Sequence, residues 1–391
     1  MKKMIFLWMA WTSLSLAAQN SIDRVLQSVE ANNTTLKALR EGTEAQKLEN
    51  RTGIFLENPE LGFNYLWGIP GAVGNRTDIS VTQKFDIPTL SGLKSRIADG
   101  QNSLAELQYL SGRKDILLEA RLCGIELIYF NALEKEMEVR LGHAKTIAGA
   151  YDRMLEQGDI NRLEYNKAQL NLSAAEGEME RIGMERSTRL SELKRLNGGQ
   201  DLSLDDSRFE DIPFLSGFED WYAQAEQHSP VLAYVRQEVE VGRKRVSLSR
   251  AMGLPVFSGG YMSEKVAGEH FQGLTLGITI PLWENRNRVR QARAAVRAAE
   301  KRSEDAEQQL YGRLQILYSR AAGLKRSAEK YRRSLTTLNN ADLLKKALDA
   351  GEISLLEYIV ETGLLYETVN RALEAERDFN RTYAELSAVM P

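Results

Sequence analysis

Proline placement is the strongest constraint this chain puts on its own fold. The eight prolines are Pro59, Pro70, Pro88, Pro213, Pro230, Pro255, Pro281 and Pro391, so none falls within 89–212 or within 282–390. Proline lacks an N–H and its ring crowds the preceding turn, so spans this long without one are open to very long helices. Apolar periodicity fills both spans. In the first, Leu118, Leu122, Ile125, Tyr129, Leu133, Met137, Leu141, Ala144, Ala148, Tyr151 and Leu155 follow one another by three or four. In the second, Ala292, Val296, Ala299, Ala306, Leu310, Leu314, Leu317, Ala321, Leu324, Ala328, Tyr331, Leu335 and Leu338 continue the rule, with Ser303 at one polar step. Such seams suit coiled-coil packing, and their alanines let helices approach closely. A helix from about Lys94 to Gln157 would run ~95 Å at 1.5 Å per residue, which no compact globular core requires.

Short alternating stretches sit beside the prolines. Leu61, Phe63, Tyr65 and Trp67 alternate with Gly62, Asn64 and Leu66; Ile79, Val81 and Phe85 with Ser80, Thr82 and Lys84. Phe257, Gly259 and Tyr261 alternate with Ser258, Gly260 and Met262; Leu274, Leu276, Ile278, Ile280 and Leu282 with Thr275, Gly277, Thr279 and Pro281. Period two with one apolar face predicts strands at about 59–67, 77–87, 255–263 and 272–282, with hairpin loops at 68–76 and 264–270.

The chain is duplicated. Residues 158–165, GDINRLEY, match 351–358, GEISLLEY, in Gly, Ile, Leu, Glu and Tyr. Val81-Thr82 recurs as Ile278-Thr279, each followed by a basic helix start, and Pro59 and Pro255 each open a strand pair. Each half reads helix, strand, strand, long helix, Gly-marked turn, helix. The halves are 19–197 and 218–391, with turns near 158 and 351 and a Gly-, Asp- and Ser-rich linker at 198–217. An internal repeat reshapes the whole fold expectation.

The first 18 residues read as a secretory signal: Lys2 and Lys3, an apolar run from 4 to 16, then Ala17 and Ala18. No cysteine stands there to take a lipid, and the single cysteine, Cys123, cannot form an intramolecular disulfide. The formal charge of −3, or −5 without Lys2 and Lys3, gives no footing for nucleic acid. His143, His228 and His270 are scattered, with no metal-ligand spacing. No nucleophile constellation, placed carboxylate pair or phosphate loop is present, so no enzyme and no cofactor is expected.

No later run is long and apolar enough for a membrane helix, so a membrane could be crossed only by strands. Four strands cannot close a barrel, for which eight is the usual minimum, and open edges cannot stay in lipid. A cyclic homo-oligomer resolves this, and three copies supply about twelve strands. Leu274, Leu276, Ile278 and Ile280 would then face lipid, Ser, Thr and Gly the lumen. Trp67 and Trp283 stand at strand ends, where aromatic girdles form.

The ordered set of these features resembles the TolC-like outer-membrane factor family over nearly the whole mature chain. The resemblance rests on the repeat, the Gly-x-Ile-x-x-Leu-Glu-Tyr turns, Val81-Thr82-Gln83, and Thr279-Ile280-Pro281-Leu282-Trp283 followed by Asn285-Arg286-Asn287. It implies a mainly helical fold with a small membrane β-barrel portion: a homotrimer with a 12-stranded barrel and a long antiparallel coiled-coil tunnel through the periplasm. It implies partners too: outer-membrane lipid, a periplasmic adaptor and an inner-membrane pump of the RND type. The passage 281–287 looks most like the metal-cation efflux branch. The implied function is an outer-membrane exit duct for metal cations or small toxic compounds. Alternatives are the duct of a type I protein secretion system and a periplasmic coiled-coil adaptor, although an adaptor would show one hairpin rather than two equivalent halves.

The turns carry the candidate site residues. Gly158, Asp159, Ile160 and Leu163, with Gly351, Glu352, Ile353 and Leu356, form the expected adaptor-docking tips. Glu164 and Glu357 are candidates for a pore constriction; a solvated helix face is the plainer alternative. Some family members narrow the tunnel with two acidic residues three apart, and the matching positions here are Glu357 and Val360.

Overall fold

Helices occupy both proline-free spans, but unequally. The computed structural model describes residues 21–69, 71, 74–85, 88–214, 217–266, 268–283, 285–338 and 340–390. The signal expected at 1–18 lies outside these residues, as do Pro70, Ile87 and Pro391. The first half runs α1 (Ser21–Asn32), α2 (Thr34–Glu49), β1 (Glu60–Leu66), β2 (Arg76–Phe85), α3 (Pro88–Gln157) and α4 (Arg162–Leu196). The second runs α5 (Phe218–His228), α6 (Pro230–Ala251), β3 (Val256–Val266), β4 (Glu269–Thr279), α7 (Arg288–Thr337), α8 (Ala341–Asp349) and α9 (Leu355–Ser387).

Several expectations are corrected here. Each leading helix is two. Ser229 ends α5 and caps α6, its Oγ accepting the Leu232 N–H at 3.3 Å ahead of Pro230. The first long helix is unbroken over 70 residues, whereas the second stops at Thr337 and resumes at Ala341. Thr-Thr-Leu-Asn-Asn at 336–340 has weak helix propensity, so the apolar seam ending at Leu338 outlasts the helix. The segment 264–270 is mostly strand: β3 runs to Val266 and β4 starts at Glu269, around Gly268 at φ 96°. Ile280 and Leu282 lie beyond β4, which ends at Thr279 before Pro281, a residue with no N–H for a ladder.

The chain divides into two compact units, each assembled from both halves of the sequence. One, drawn from residues up to Thr34, Ile116–Pro213 and Arg320–Ala384, contains no strand among its described residues. Its core joins Val25 and Val29 of α1 to Ala120, Cys123 and Leu127 of α3, Leu193 and Leu196 of α4, and Leu204. Here the supposed linker is a clamped strap: Asn131 Nδ2 donates to the carbonyls of Leu204 at 2.7 Å and Asp206 at 3.0 Å, and Lys325 Nζ to that of Ile212 at 2.6 Å. Burial pushes the Cys123 thiol up to about 12, so it behaves as a packing residue.

The other unit, drawn from Thr35–Asp115, Phe214–Ser319 and Glu385–Pro391, holds all four strands. Its core packs Trp221 and Ala225 against Leu314, Leu317 and Leu386. An aromatic cluster flanks it, with Tyr222 and Tyr311 edge to face at 4.8 Å. Lys114 Nζ donates to the carbonyls of Val389 and Met390, each at 2.9 Å, fixing the end of the chain.

Candidate functional site

In the strand-bearing unit the order is β1-β2-β3-β4, every neighbouring pair antiparallel. Register fixes the faces, because directly paired residues point the same way. Phe63 pairs with Ile79, Leu61 with Val81, Val81 with Tyr261, and Tyr261 with Leu274. Toward the foot, Phe85 pairs with Phe257 and Phe257 with Ile278. These residues form one continuous apolar face across four strands. The reverse face carries Asn64, Asp78, Ser80, Thr82, Ser258, Thr275 and glycines.

The apolar face is bare. Leu274 is 86 % exposed and Leu276 91 %, values otherwise unfavourable for leucine in water. On the polar face, Arg76 Nε meets Asp78 at 2.8 Å and Glu264 at 3.2 Å. Glycine is required there at Gly260, where an added Cβ would clash with the Val81 carbonyl oxygen and the Thr82 backbone. Trp67 and Trp283 are exposed at opposite ends of the sheet, one just past β1 and one past β4. Of the four candidate lipid-facing residues, Leu274, Leu276 and Ile278 share the apolar face of β4; Ile280 is exposed but outside the strand.

In the strand-free unit the two turns repeat one hydrogen-bond scheme. The Gly158 N–H donates to Leu155 O at 3.1 Å and the Asp159 N–H to Met154 O at 2.9 Å; Gly351 and Glu352 donate likewise to Leu348 at 3.0 Å and Ala347 at 2.9 Å. Both are Schellman endings, which need a left-handed residue, and φ is 83° at Gly158 and 73° at Gly351. Ile160 and Ile353 are half-buried, while Asp159 and Glu352 are exposed.

The following helices start differently. Asn161 Oδ1 caps α4 by accepting the Glu164 N–H at 3.0 Å. At α9, Ser354 Oγ accepts the Glu357 N–H at 3.2 Å while Glu357 Oε2 accepts the Ser354 N–H at 2.8 Å, a capping box. The bonds from the Ser354 backbone and hydroxyl hold the Glu357 carboxyl below its usual range. Glu164 and Glu357 are both exposed and, among the described residues, share no hydrogen-bond partner. Leu163 at 63 % and Leu356 at 53 % present apolar surface beside them.

The turns lie side by side. Tyr151 and Met154 of α3 and Lys345, Leu348 and Tyr358 of the second hairpin line one cavity of about 280 Å³. Nearby, Arg140 of α3 reaches α9, stacking over the Tyr366 ring at 4.5 Å and donating through Nη2 to Asn370 Oδ1 at 3.0 Å. Burial pulls its guanidinium below the ordinary value, and its Nε has no partner. This tie escaped sequence reading, although Arg140 stands at seam spacing between Met137 and Ala144.

Comparison with known proteins adds the following. Residues 221–390 match the family model described as outer membrane efflux protein. Comparison with curated protein sequences gives no match. The fold is that of solved channels. CusC, described in terms of transmembrane channel formation, superposes with TM-score 0.78 at 13 % identity, over 95 % of this chain and 92 % of that one. The Campylobacter jejuni outer membrane channel CmeC gives 0.69 at 16 %, over 95 % and 84 %. The Vibrio cholerae outer membrane protein VceC gives 0.74 at 12 %, over 94 % and 95 %. At these identities the likeness establishes the fold.

Proposed function

With residues 221–390 matching the outer membrane efflux protein model, we propose that this chain is one subunit of an outer-membrane exit duct, fed by an inner-membrane pump through a periplasmic adaptor. The observation that carries this is the sheet: four antiparallel strands, one apolar face, one polar face and two outer strands, β1 and β4, without a further partner among the described residues. An isolated sheet of this kind is unstable in lipid, where every backbone group needs a partner. Because the strand number is even, β4 runs opposite to β1. The β4 edge of one copy can therefore pair with the β1 edge of the next without breaking antiparallel alternation. Three copies give a closed barrel of about twelve strands, within the known range. The apolar face meets lipid, and the polar face lines the passage.

The helices lie on the periplasmic side, and the tips around Gly158 and Gly351 meet the adaptor through Leu163 and Leu356. Glu164 and Glu357 stand at the mouth. The cargo is a metal cation or a small toxic compound, and the pump is of the RND type. This reading rests on the family resemblance of the strand-to-helix passage at 281–287.

Outer-membrane fractionation and native mass spectrometry in detergent test the proposal. A trimer in the outer-membrane fraction is expected. A stable monomer, or a chain recovered only from the soluble periplasm, overturns it.

A further inference from the structure

At the foot of the sheet the chain passes from β4 to α7 through Glu284 and then enters a run of arginines that lasts until Glu300. Residues 285–299 contain Arg286, Arg288, Arg290, Arg293 and Arg297 and no acidic residue. Arg288 is engaged locally, its Nη1 donating to Asn285 Oδ1 at 2.7 Å. The other four are exposed, and among the described residues none of them enters an ion pair. By helical geometry Arg290, Arg293 and Arg297 stand on the side of α7 away from the buried Ala292, Val296 and Ala299. Neighbouring cations are paired by contrast: Arg302 with Glu238 at 3.0 Å, and Arg243 with Glu300 at 3.0 Å. Like charges crowded at the positive end of a helix dipole destabilise one another, four arginines outnumber the two flanking carboxylates Glu284 and Glu300, and a bound anion relieves the excess.

Bare apolar surface adjoins the row. Ile280 is 57 % exposed, Leu282 67 % and Trp283 80 %, directly continuing the apolar run of β4. The Arg286 N–H donates to the Trp283 carbonyl at 3.1 Å, so this arginine is one turn from the indole. The passage into the paired strand β3 has the same build: exposed Arg250 ends α6, and Leu254 and Phe257 follow, both exposed. At two adjacent strand feet, unpaired arginines therefore border side chains suited to an acyl boundary. Tryptophan and arginine side by side are what a headgroup layer selects: the ring lies at the interface, and the guanidinium fork takes phosphate oxygens two at a time.

We propose that Arg286, Arg290, Arg293 and Arg297, with Leu282 and Trp283, bind the headgroups of anionic phospholipid in the leaflet that meets the foot of the barrel. This rests on the exit-duct reading and adds the lipid contact that fixes the depth of the barrel. A free phosphate ion would have no use for the adjoining apolar side chains.

The test is native mass spectrometry of the full-length oligomer, with dioleoylphosphatidylglycerol or dioleoylphosphatidylcholine added to the micelles and inorganic phosphate in a separate arm. The wild type is expected to retain phosphatidylglycerol preferentially. Neutralising Arg286, Arg290 and Arg293 to Gln weakens that retention by about fivefold per arginine, the worth of one basic residue at an anionic surface. Lysine at the same positions restores most of it, and Arg313→Gln, further along α7, changes nothing. Three results overturn the proposal: an intact oligomer whose glutamine variant holds phosphatidylglycerol as the wild type does; competition by inorganic phosphate as effective as by lipid; or altered ion selectivity in single-channel recordings with unchanged lipid retention, which assigns the row to the lumen. Failure of the wild type to oligomerise at all is a separate outcome, read before any lipid is added, and it overturns the exit-duct reading together with this one.

Discussion

Arginine at Leu276 should abolish assembly, whereas arginine at the adjacent Thr275 should not. Leu276 lies on the apolar face opposite Gly259, between Leu274 and Ile278; Thr275 lies on the polar face opposite Gly260. In the single chain Leu276 is 91 % exposed, and on the exit-duct proposal lipid covers it. A lipid-facing arginine near the midplane of a barrel costs about 2–4 kcal/mol. In a trimer the cost recurs in every copy, reaching roughly 6–12 kcal/mol for the barrel, comparable with the whole stability of an ordinary domain. Thr275→Arg places the same charge on the face that carries serine, threonine and glycine, which the proposal turns toward water, and steric adjustment against Gly260 is its main expense. The assay is the yield of heat-modifiable oligomer in the outer-membrane fraction, with expression matched. Equal assembly of the two variants would refute the assignment of faces.

Other perturbations separate local causes. Valine at Gly158 or Gly351 should cost about 1–2 kcal/mol through backbone strain alone, because no atom lies within 4 Å of an added Cβ at either position; thermal unfolding measures it, and a neutral double variant would contradict it. Asn370→Leu strips Arg140 of its amide partner and should destabilise by roughly 1–3 kcal/mol, more than Arg140→Met, which removes the buried charge altogether; the reverse order would show that Arg140 is hydrated. The folded Glu357 carboxyl titrates below its unfolded value, so its contribution is present above the unfolded pKa and is lost as pH falls through the lower, folded one. Ser354→Ala removes the hydroxyl bond but keeps the backbone one and should raise that folded value part of the way toward the ordinary range in an NMR titration; an unmoved titration would show that the hydroxyl contributes nothing to the shift. Leu356→Asp should reduce co-purification of the adaptor while the oligomer persists; full recovery of adaptor would remove this residue from the docking surface.

Much of this arrangement was legible because its signals are periodic. The alternation of Leu274, Leu276 and Ile278 with Thr275 and Gly277 set the faces of β4 before any register was known. The near-identity of 158–165 and 351–358 marked two equivalent turns, and the same backbone scheme holds both. What periodicity missed is local chemistry. Ser354 and Glu357 form the S-x-x-E signature of a capping box, which the repeat comparison obscured because Asn161 and Glu164 stand in the matching places with a single bond instead. Helix α7 ends at Thr337 although the apolar seam reaches Leu338, so weak propensity decided what pattern did not. The strand ends around Lys265 and His270 are polar and read as loop, yet cross-strand bonds hold them, Ser263 Oγ lying 2.8 Å from His270 Nε2. Arg140 was invisible for a different reason: its partners Tyr366 and Asn370 are more than 220 positions away in sequence.

The two compact units are each incomplete, in different ways, and both deficits point to further copies of the chain. In the strand-bearing unit the deficit is in hydrogen bonding: the outer strands β1 and β4 have no neighbour beyond them among the described residues. In the strand-free unit it is apolar area. Leu163, Leu170 and Met184 on α4 are 63 %, 70 % and 65 % exposed, and with Gly177 they recur every seven residues, the repeat of a coiled-coil seam with no helix yet in it. On α9, Leu356, Val360 and Leu364 recur every four, at 53 %, 60 % and 66 %. Neither deficit can supply what the other lacks, because strand edges need backbone partners and the stripes need side chains. On the exit-duct proposal a ring of copies answers both, joining β4 to β1 and offering helix faces to the stripes. Closure is then cooperative between unlike interactions, and a chain that fails to pair its edges also leaves its stripes in water. That coupling makes the strand edges and the helix stripes two parts of one assembly requirement, so a variant that blocks either is expected to lower the yield of oligomer.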